Sequence, residues 1–315
     1  MFLDHASISD RGKNLFTNAS QVGYCGQKSL RPQLGSRTLN LNARHVRVTS
    51  RNSIRWYRIM TAFELSKWYL DCVTDSGDAS IAYTGMVHWG PVRLHYSSLL
   101  ESTAGRVRTR HSLRPQIEPT IDHSSLRWRS GAFKIDAEWQ TDSPEVRETI
   151  FASDAGSLEW HCLMPRAHAR IHNRIGLGYV EHLTMTIAPW KLPIRTLRWG
   201  RFATPSDWIV WIDWLGQFSR RIVYWNGQIA STTLLEDGQI EFRDGARLMM
   251  DRSLVLREGP LGATALSVIP GVRDTFPAQL LQVNECKWRS RGRFERPGTS
   301  TVEAWAIHER VDWPK

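Results

Sequence analysis

Apolar and polar residues alternate in short runs along most of the chain, and no long segment repeats apolar residues with the helical period of about 3.6. Alternation over roughly four to eight residues is typical of β-strands with one buried face. Turn dipeptides separate the runs, for example Asn226–Gly227 and Asp237–Gly238. The pattern therefore predicts an all-β protein with little helix, built of two consecutive antiparallel β-barrels or sandwiches.

A proline-containing stretch, PWKLPIRTLRWGRFATPSD from residue 189, interrupts the strand pattern and predicts a domain boundary. We expect a first barrel domain over residues 56–190 and a second over 191–315. The two halves show no clear sequence repeat. Residues 1–55 are rich in Ser, Asn, Gly and Arg and are expected to form a basic, disordered extension.

The net charge of +10 is concentrated at the start of the chain, because residues 1–60 hold ten basic and two acidic side chains. The remaining 31 basic and 29 acidic residues nearly cancel, which argues against a nucleic-acid partner for the body of the protein. Two interpretations of the basic segment stay open. It is a disordered extension or a start-site artefact, or it is an arm for phosphates or anionic lipid, which would give peripheral membrane contact.

Several patterns that would indicate other classes of protein are missing. No run of 18 apolar residues predicts a membrane helix, and the first residues do not form a secretory signal. The four cysteines are widely spaced without a CxxC pair, which favours reduced thiols in a cytoplasmic protein. No dinucleotide fingerprint, P-loop or GxSxG motif occurs, so no nucleotide cofactor is expected. His168 and His172 have helical spacing, but no helix pattern supports them and Pro165 interrupts the segment, so no metal is expected either.

The segment GLGYVEHLTMTIAPW, from residue 176, contains a carboxylate inside an apolar strand pattern. Successive side chains of a strand point to opposite faces, so Glu181 shares its face with Tyr179, Leu183 and Met185. Burial raises the pKa of a carboxylic acid, because the charged form loses its hydration, and a neutral buried acid can donate a proton. Glu181 is therefore the candidate proton donor.

Structural interpretations of Glu181 stay open at this level. Glu181 could pair with Arg198, Arg201 or another arginine, or the strand could be reversed with Glu181 outside. His182 points to the other face, where a surface or inter-strand position is expected rather than a catalytic base.

The segment SDWIVWIDWLGQ contains a second candidate acid. Alternation places Trp208 and Trp214 on one face and Trp211 and Asp213 on the other. Asp213 is either an acid on a partly apolar face or a residue near the strand end. Asp71, in WYLDCVTD, is expected to be exposed or close to a turn.

Tryptophan is unusually frequent, with 15 in the chain, all after residue 55. Indole rings bury large apolar areas and attract cations through their faces. The excess indicates either a Trp-rich β core or a Trp-lined cavity.

Three motifs follow one another in an order found in a known superfamily. They are WYLDCVTDSGDASIAYTG, a GxGYxE strand with Tyr179 and Glu181, and a PW…WGRF segment from Pro189 to Phe202. Over residues 56–315 the chain resembles the two-barrel, lipocalin-like superfamily of carotenoid 1,2-hydratases (hydroxyneurosporene synthase-like proteins), tocopherol cyclases and some fungal Diels–Alder cyclases. Where the carotenoid hydratases carry a Tyr and an Asp/His-rich motif, this chain has GYVEHL.

The resemblance implies two lipocalin-like barrels with a cavity within or between them. It also implies an apolar ligand, often isoprenoid or polyketide, and no metal or nucleotide.

The leading hypothesis is an acid-assisted hydratase, cyclase or isomerase acting on an apolar unsaturated small molecule. Glu181 would protonate the substrate, and Tyr179 would orient the substrate or Glu181. Asp213, or a water molecule bound to Asp213, would then react with the resulting carbocation. Other side chains are expected to bind the substrate: Trp190, Trp199, Trp211, Trp214, Tyr83, Trp89 and Arg201. The alternatives are a carrier that performs no chemistry and a pericyclase that works by shape alone.

Overall fold

The computed structural model describes residues 63–314. The predictions about residues 1–55 lie outside this range. The described part forms two ten-stranded antiparallel sheets with little helix, which confirms the predicted all-β fold of two consecutive lipocalin-like units. No helix among these residues is long and apolar enough to cross a membrane.

The first sheet contains strands β1 to β10. Their bounds are β1 Phe63–Val73, β2 Ala79–Trp89, β3 Val92–Thr103, β4 Arg106–Ser112, β5 Thr120–Asp122, β6 Ser125–Ser130, β7 Ile135–Gln140, β8 Val146–Ser153, β9 Gly156–Ile171 and β10 Arg174–Met185. Hydrogen-bonded neighbours follow the order β4-β3-β2-β1-β10-β9-β7-β6-β5, and β8 also pairs with β9. The first and last strands of the half are therefore adjacent at the middle of the sheet.

The second sheet follows after a short 3-10 helix, Pro189–Lys191. Its strands are β11 Ile194–Ala203, β12 Trp208–Gly216, β13 Arg220–Trp225, β14 Gln228–Ile229, β15 Thr232–Glu236, β16 Gln239–Phe242, β17 Arg247–Met250, β18 Leu254–Pro260, β19 Asn284–Glu295 and β20 Val302–Asp312. Their order is β14-β13-β12-β11-β20-β19-β17-β16-β15, with β18 on β19. Each strand thus has a counterpart in the first sheet at the same place, so the topology repeats although the sequence does not.

Two one-turn helices, α1 Val272–Thr275 and α2 Ala278–Leu281, lie in the connection between β18 and β19. This connection, residues 261–283, is called the cap segment below. Its apolar side chains pack at one end of the sheet pair, where the rings of Phe276 and Trp89 are stacked with centroids 6.3 Å apart. The corresponding strands of the first half, β8 and β9, are joined by a tight turn, so the cap segment belongs to the second half alone.

Four hydrophobic clusters occur in residues 63–314, one of them under the cap segment, and the other three result from the alternation of side chains along the strands. Each sheet curls around a core of its own, with Trp128 in the first and Trp211 in the second. The opposite faces of the central strands pack against each other and form a third core, called the shared core, which contains Tyr69, Tyr179 and Trp199.

The central strands are buried on both faces, which explains why they read as nearly continuous apolar runs. In β1 every residue from Trp68 to Val73 is buried, and in β12 every residue from Trp208 to Trp214. An acid inside such a run is buried whichever face it takes. The expectation that Asp71 is exposed is therefore wrong, since Asp71 is 0% exposed, although it does lie two residues before the end of β1.

Candidate active site

A cluster of charged side chains lies where the two sheets meet, in and beside the shared core. The charged cluster consists of four acids and four cations: Asp71, Glu181, Glu285, Glu309, Lys67, Arg201, Arg257 and Lys287. Burying a charge is costly unless it is paired and hydrogen-bonded. Such a concentration of titratable groups is therefore the main candidate for a functional site in the described residues.

The predicted face of β10 is confirmed, but this face packs against the second sheet and does not line the interior of the first barrel. Tyr179 and Met185 belong to the shared core, whereas Val180 points into the first barrel. Glu181 therefore faces the second sheet rather than the interior of its own barrel. The pairing of β10 with β9 is irregular on both sides of Val180, and β-bulges of this kind re-aim neighbouring side chains.

Asp71 and Arg201 form a fully buried ion pair between the two sheets. Arg201 donates from Nη2 to Asp71 Oδ1 at 2.7 Å and from Nε to Oδ2 at 3.1 Å. The hydroxyl of Tyr69 adds a third hydrogen bond to Asp71 at 3.0 Å. Burial acts to lower the pKa of Arg201, but the Asp71 carboxylate outweighs it and raises the pKa, so the guanidinium stays charged.

Glu181 is held by three donors on a single oxygen. Its Oε2 accepts from Trp160 Nε1 at 2.6 Å, from the Tyr179 hydroxyl at 2.7 Å and from Trp199 Nε1 at 3.0 Å. Because Oε2 is saturated by donors, a proton on this carboxyl belongs on Oε1. Burial raises the pKa of Glu181, against the opposing effects of Lys67 and of the hydrogen bonds, and so favours the protonated acid.

The salt bridges proposed for Glu181 are not formed. Arg201 is bound to Asp71, and Arg198 is bound to Asp213 and Asp237. Within residues 63–314, no lysine, arginine or histidine nitrogen lies within 4.0 Å of a Glu181 carboxylate oxygen. Glu181 is thus a buried carboxyl stabilised by neutral donors instead of by a cation.

Glu309 occupies the corresponding position in the second sheet and has the opposite electrostatics. It is ion-paired with Lys287, whose side chain is 1% exposed, while that of Glu309 is 18% exposed. The ammonium of Lys287 also lies 5.1 Å from the ring centroid of Trp199. Burial acts to raise the pKa of Glu309, but Lys287 and then Lys67 outweigh it, so the pKa is lowered and the group is a carboxylate.

The third pair joins β18 and β19 beside the first sheet. Arg257 Nε lies 2.6 Å from Glu285 Oε1, and the guanidinium lies 5.4 Å from the centroid of the Tyr83 ring. Glu285 also accepts a hydrogen bond from Thr264 of the cap segment at 2.9 Å. The cap segment is thereby tied directly to the charged cluster.

The site residues predicted from the sequence lie in separate regions of the structure. Five surround the buried charges in the shared core: Tyr83, Tyr179, Glu181, Trp199 and Arg201. Trp214 lies elsewhere in the same core, parallel to Phe151 with centroids 6.1 Å apart. Trp89 and Trp190 contact each other under the cap segment, with centroids 4.9 Å apart.

Asp213 and Trp211 are separated from Glu181 by the second sheet itself. Trp211 lies in the core of the second barrel, and Asp213 is on the same side of β12, bound to Arg198 and Arg221. Strand alternation alone places them opposite Trp214. The hypothesis that Asp213 acts together with Glu181 therefore joins residues on opposite sides of the second sheet.

Glu309 and Lys287 were not identified from the sequence, although one signal for Glu309 was present. Along β20, Trp305, Ile307 and Val311 share a face with Glu309, so this acid interrupts an apolar face as Glu181 does in β10. For Lys287 no comparable signal exists, since its burial depends on contacts with Tyr69 and Trp199 from other strands.

Within residues 63–314, no group of three or more His, Cys, Asp and Glu side chains is arranged to hold a metal ion. The chemistry that the site can perform with its own groups is proton transfer, since it combines a buried carboxyl of raised pKa, a carboxylate of lowered pKa and cations.

No protein-family model and no curated protein sequence matches the chain. Among solved structures, CghA with Sch210972 is similar at a TM-score of 0.48 and 11% identity, covering 79% of this chain and 88% of that one. A Nitrosomonas europaea protein named ATTH has a TM-score of 0.47 at 8% identity, covering 81% and 94%. Kievitone hydratase from Nectria haematococca has 0.44 at 10%, covering 81% and 90%. Identities this low carry no activity from one protein to another.

Proposed function

We propose that the protein is an acid–base enzyme of the hydratase, cyclase or isomerase type that acts on an unsaturated, mainly apolar small molecule between its two sheets. Glu181 is the proton donor and Glu309 is the proton acceptor. The observation that carries this proposal is the contrast between the two carboxyls. Glu181 is held by neutral donors and has a raised pKa, whereas Glu309 is ion-paired with Lys287 and has a lowered pKa. Groups whose surroundings drive their pKa values apart are suited to acid and base roles.

The two carboxyls together complete a balanced reaction. In a hydration, Glu309 takes a proton from water as the water oxygen bonds to one carbon of the double bond, and Glu181 gives its proton to the other carbon. In an isomerisation or cyclisation, Glu181 adds a proton at one carbon and Glu309 removes one from another. Glu309, with 18% of its side chain exposed, returns its proton to solvent, and Glu181 regains one from water.

Neighbouring groups support these roles. Trp199 donates to Glu181 and stands opposite Glu309 in the β11–β20 pairing, so one side chain orients the acid beside the base. Its ring and that of Tyr69 also stabilise positive charge, as their contacts with Lys287 indicate. The ion pair of Asp71 and Arg201 holds the two sheets in the register that brings these groups together.

The test is solvent-proton incorporation. The full chain is incubated in D2O with an apolar extract of the cells that produce it, and products are followed by mass spectrometry. We expect deuterium to enter carbon positions with the wild type, and the Glu181→Gln and Glu309→Gln variants to lose this activity by about 100-fold or more. Glu64→Gln, at an exposed position of β1, is the matched control and keeps full activity.

Full incorporation by Glu181→Gln would refute the proposed acid. Co-purified apolar ligands that stay unchanged in every arm would identify a carrier instead. A product formed without deuterium, and insensitive to Glu181→Gln, would identify a shape-driven pericyclase.

A further inference from the structure

We propose that Lys67 binds the carbonyl oxygen of the substrate, and that the substrate is therefore a conjugated, mainly apolar carbonyl compound rather than a plain alkene. This inference rests on the proposed function of the Glu181 site and names its substrate class. Its starting point is the pairing of charges in the cluster.

Three of the four cations in the charged cluster are held one-to-one by carboxylates. The pairs are Asp71–Arg201, Glu285–Arg257 and Glu309–Lys287. The acid and the cation that remain are Glu181 and Lys67, and neither has an oppositely charged group within 4.0 Å in the range 63–314. The site thus retains one proton donor and one unneutralised ammonium.

Lys67 and Glu181 are diagonal neighbours on one face of β1 and β10, since Lys67 pairs with Leu183 and Glu181 with Tyr69. Lys67 lies on the shared face of β1, and its ammonium is 5.5 Å from the ring centroid of Tyr83. It acts on the pKa of Glu181 and on that of Glu309, in both cases to lower it. A substrate atom bound by Lys67 therefore lies beside the proposed acid, Glu181, on the shared face.

The surroundings of Lys67 are apolar and incompletely covered. Leu183 on β10 pairs with Lys67, and Leu65 on β1 and Val87 on β2 are the next residues on the same face. These three side chains pack against the shared core and are only partly buried. Lys67 itself is half-buried. This arrangement suits a ligand with one polar atom at Lys67 and an apolar body over the leucines.

A single oxygen fits Lys67 better than a carboxylate group does. Carboxylates are held best by the two-pronged arginine fork, and both arginines of the cluster are already engaged by Asp71 and Glu285. An ammonium is a compact charge that stabilises the negative charge developing on one oxygen. In an enone, that polarisation makes the β-carbon electrophilic. Water deprotonated by Glu309 then adds there, and Glu181 protonates the α-carbon.

The test uses two matched probes on the full chain, trans-chalcone and trans-stilbene. Both carry two phenyl rings on a trans double bond, and only chalcone has a carbonyl group. Binding is followed by quenching of tryptophan fluorescence, for which Trp199 lies in the site. We expect the wild type to bind chalcone about tenfold more tightly than stilbene, and Lys67→Met to reduce the ratio to about one. Lys134→Met, at an exposed turn of the first sheet, keeps the wild-type ratio.

Several outcomes overturn the inference. They are no binding of chalcone by the wild type, equal affinity for both probes, and an unchanged preference in Lys67→Met. Tighter binding of stilbene-4-carboxylate than of chalcone would identify an anion site instead. Lys67→Gln, which keeps a neutral donor, replaces Lys67→Met if that variant does not fold, and is expected to lower the ratio at least threefold.

Glu181→Gln separates this inference from the proposed function. It should keep the preference for chalcone, because Lys67 is intact, while losing deuterium incorporation. Retained turnover in Glu181→Gln with a lost preference in Lys67→Met would refute the acid role alone.

Discussion

Glu181 and Glu309 stand at the same place in two sheets of the same topology, yet their surroundings move their pKa values in opposite directions. Glu181 lies opposite Tyr69 on β1 and Glu309 opposite Trp199 on β11. The neighbour on the next strand differs, since β9 places Cys162 beside Glu181 and β19 places Lys287 beside Glu309. A repeated backbone thus provides two equivalent carboxyl positions. Burial dominates the pKa of Glu181, whereas at Glu309 burial is outweighed by the neighbouring cations, of which Lys287 has the largest effect.

Equivalent positions of the two halves also meet each other across the shared core. Tyr69 and Trp199 are in contact with ring centroids 4.9 Å apart, and two residues further along each strand Asp71 meets Arg201. Self-contact of equivalent positions is the geometry of a two-fold interface, in which identical charges would repel. Here the two equivalent positions carry opposite charges and form a buried ion pair instead.

The largest expected effect comes from removing one side of this contact. Arg201→Met leaves the Asp71 charge buried without a partner, and we expect a loss of about 4 kcal/mol in the free energy of unfolding. The measurement is urea denaturation. Asp71→Leu combined with Arg201→Met should recover most of the loss, because no buried charge remains. A single variant within about 1 kcal/mol of the wild type would contradict the assigned role of the pair.

A smaller effect is expected when the second half is made to resemble the first. Lys287→Met removes the cation beside Glu309, as Cys162 provides none beside Glu181. We expect a loss of roughly 2 kcal/mol, less than for Arg201→Met because Glu309 is partly exposed and can take up a proton. The pKa of Glu309, measured by NMR titration of its carboxyl carbon, should then rise. An unchanged Glu309 pKa would show that Lys287 is not the cause of the difference, and Lys134→Met is the control.

The pH dependence of stability should have opposite signs at the two positions. The folded-state pKa of Glu181 is raised above its ordinary value of 4.5, so its contribution to stability is full below that pH and is lost as pH rises through the folded-state pKa. The folded-state pKa of Glu309 is lowered, so the contribution of Glu309 to stability is present above pH 4.5 and is lost as pH falls through the folded-state pKa.

We therefore expect Glu181→Gln to gain stability relative to the wild type as pH rises, and Glu309→Gln to lose it. Urea midpoints at a series of pH values measure both trends. Parallel trends in the two variants would refute the opposed ionisation on which the proposed function depends.

The smallest effect is expected at a single donor to Glu181. Trp160→Phe removes one of three hydrogen bonds and should cost about 1 kcal/mol. In a Glu181→Leu background the cost should be smaller, because the acceptor is absent, and a double-mutant cycle measures the difference. Equal costs in both backgrounds would mean that Trp160 acts through packing alone.

Strand periodicity correctly predicted the sheet face on which several of the site residues lie. It placed Tyr179 and Glu181 on one face of β10, and it also placed Trp211 and Asp213 on the face of β12 opposite Trp214, as the structure has them. The pairing of Asp213 with Glu181 was an assumption about packing that periodicity did not support. Glu309 could have been found by applying to β20 the same reasoning that singled out Glu181.

The sequence alone determined the fold class and the face that each strand residue occupies, because side-chain alternation and turn residues are local properties of the chain. Only the tertiary structure decided which residues each strand face contacts. It placed Asp71 against Arg201, 130 residues apart, and set Lys287 beside Glu309. Within residues 63–314 it gave Lys67 and Glu181 no ion-pair partner. These contacts depend on the packing of two curled sheets against each other, and the pKa of a buried group depends on its neighbours in space rather than on those in sequence.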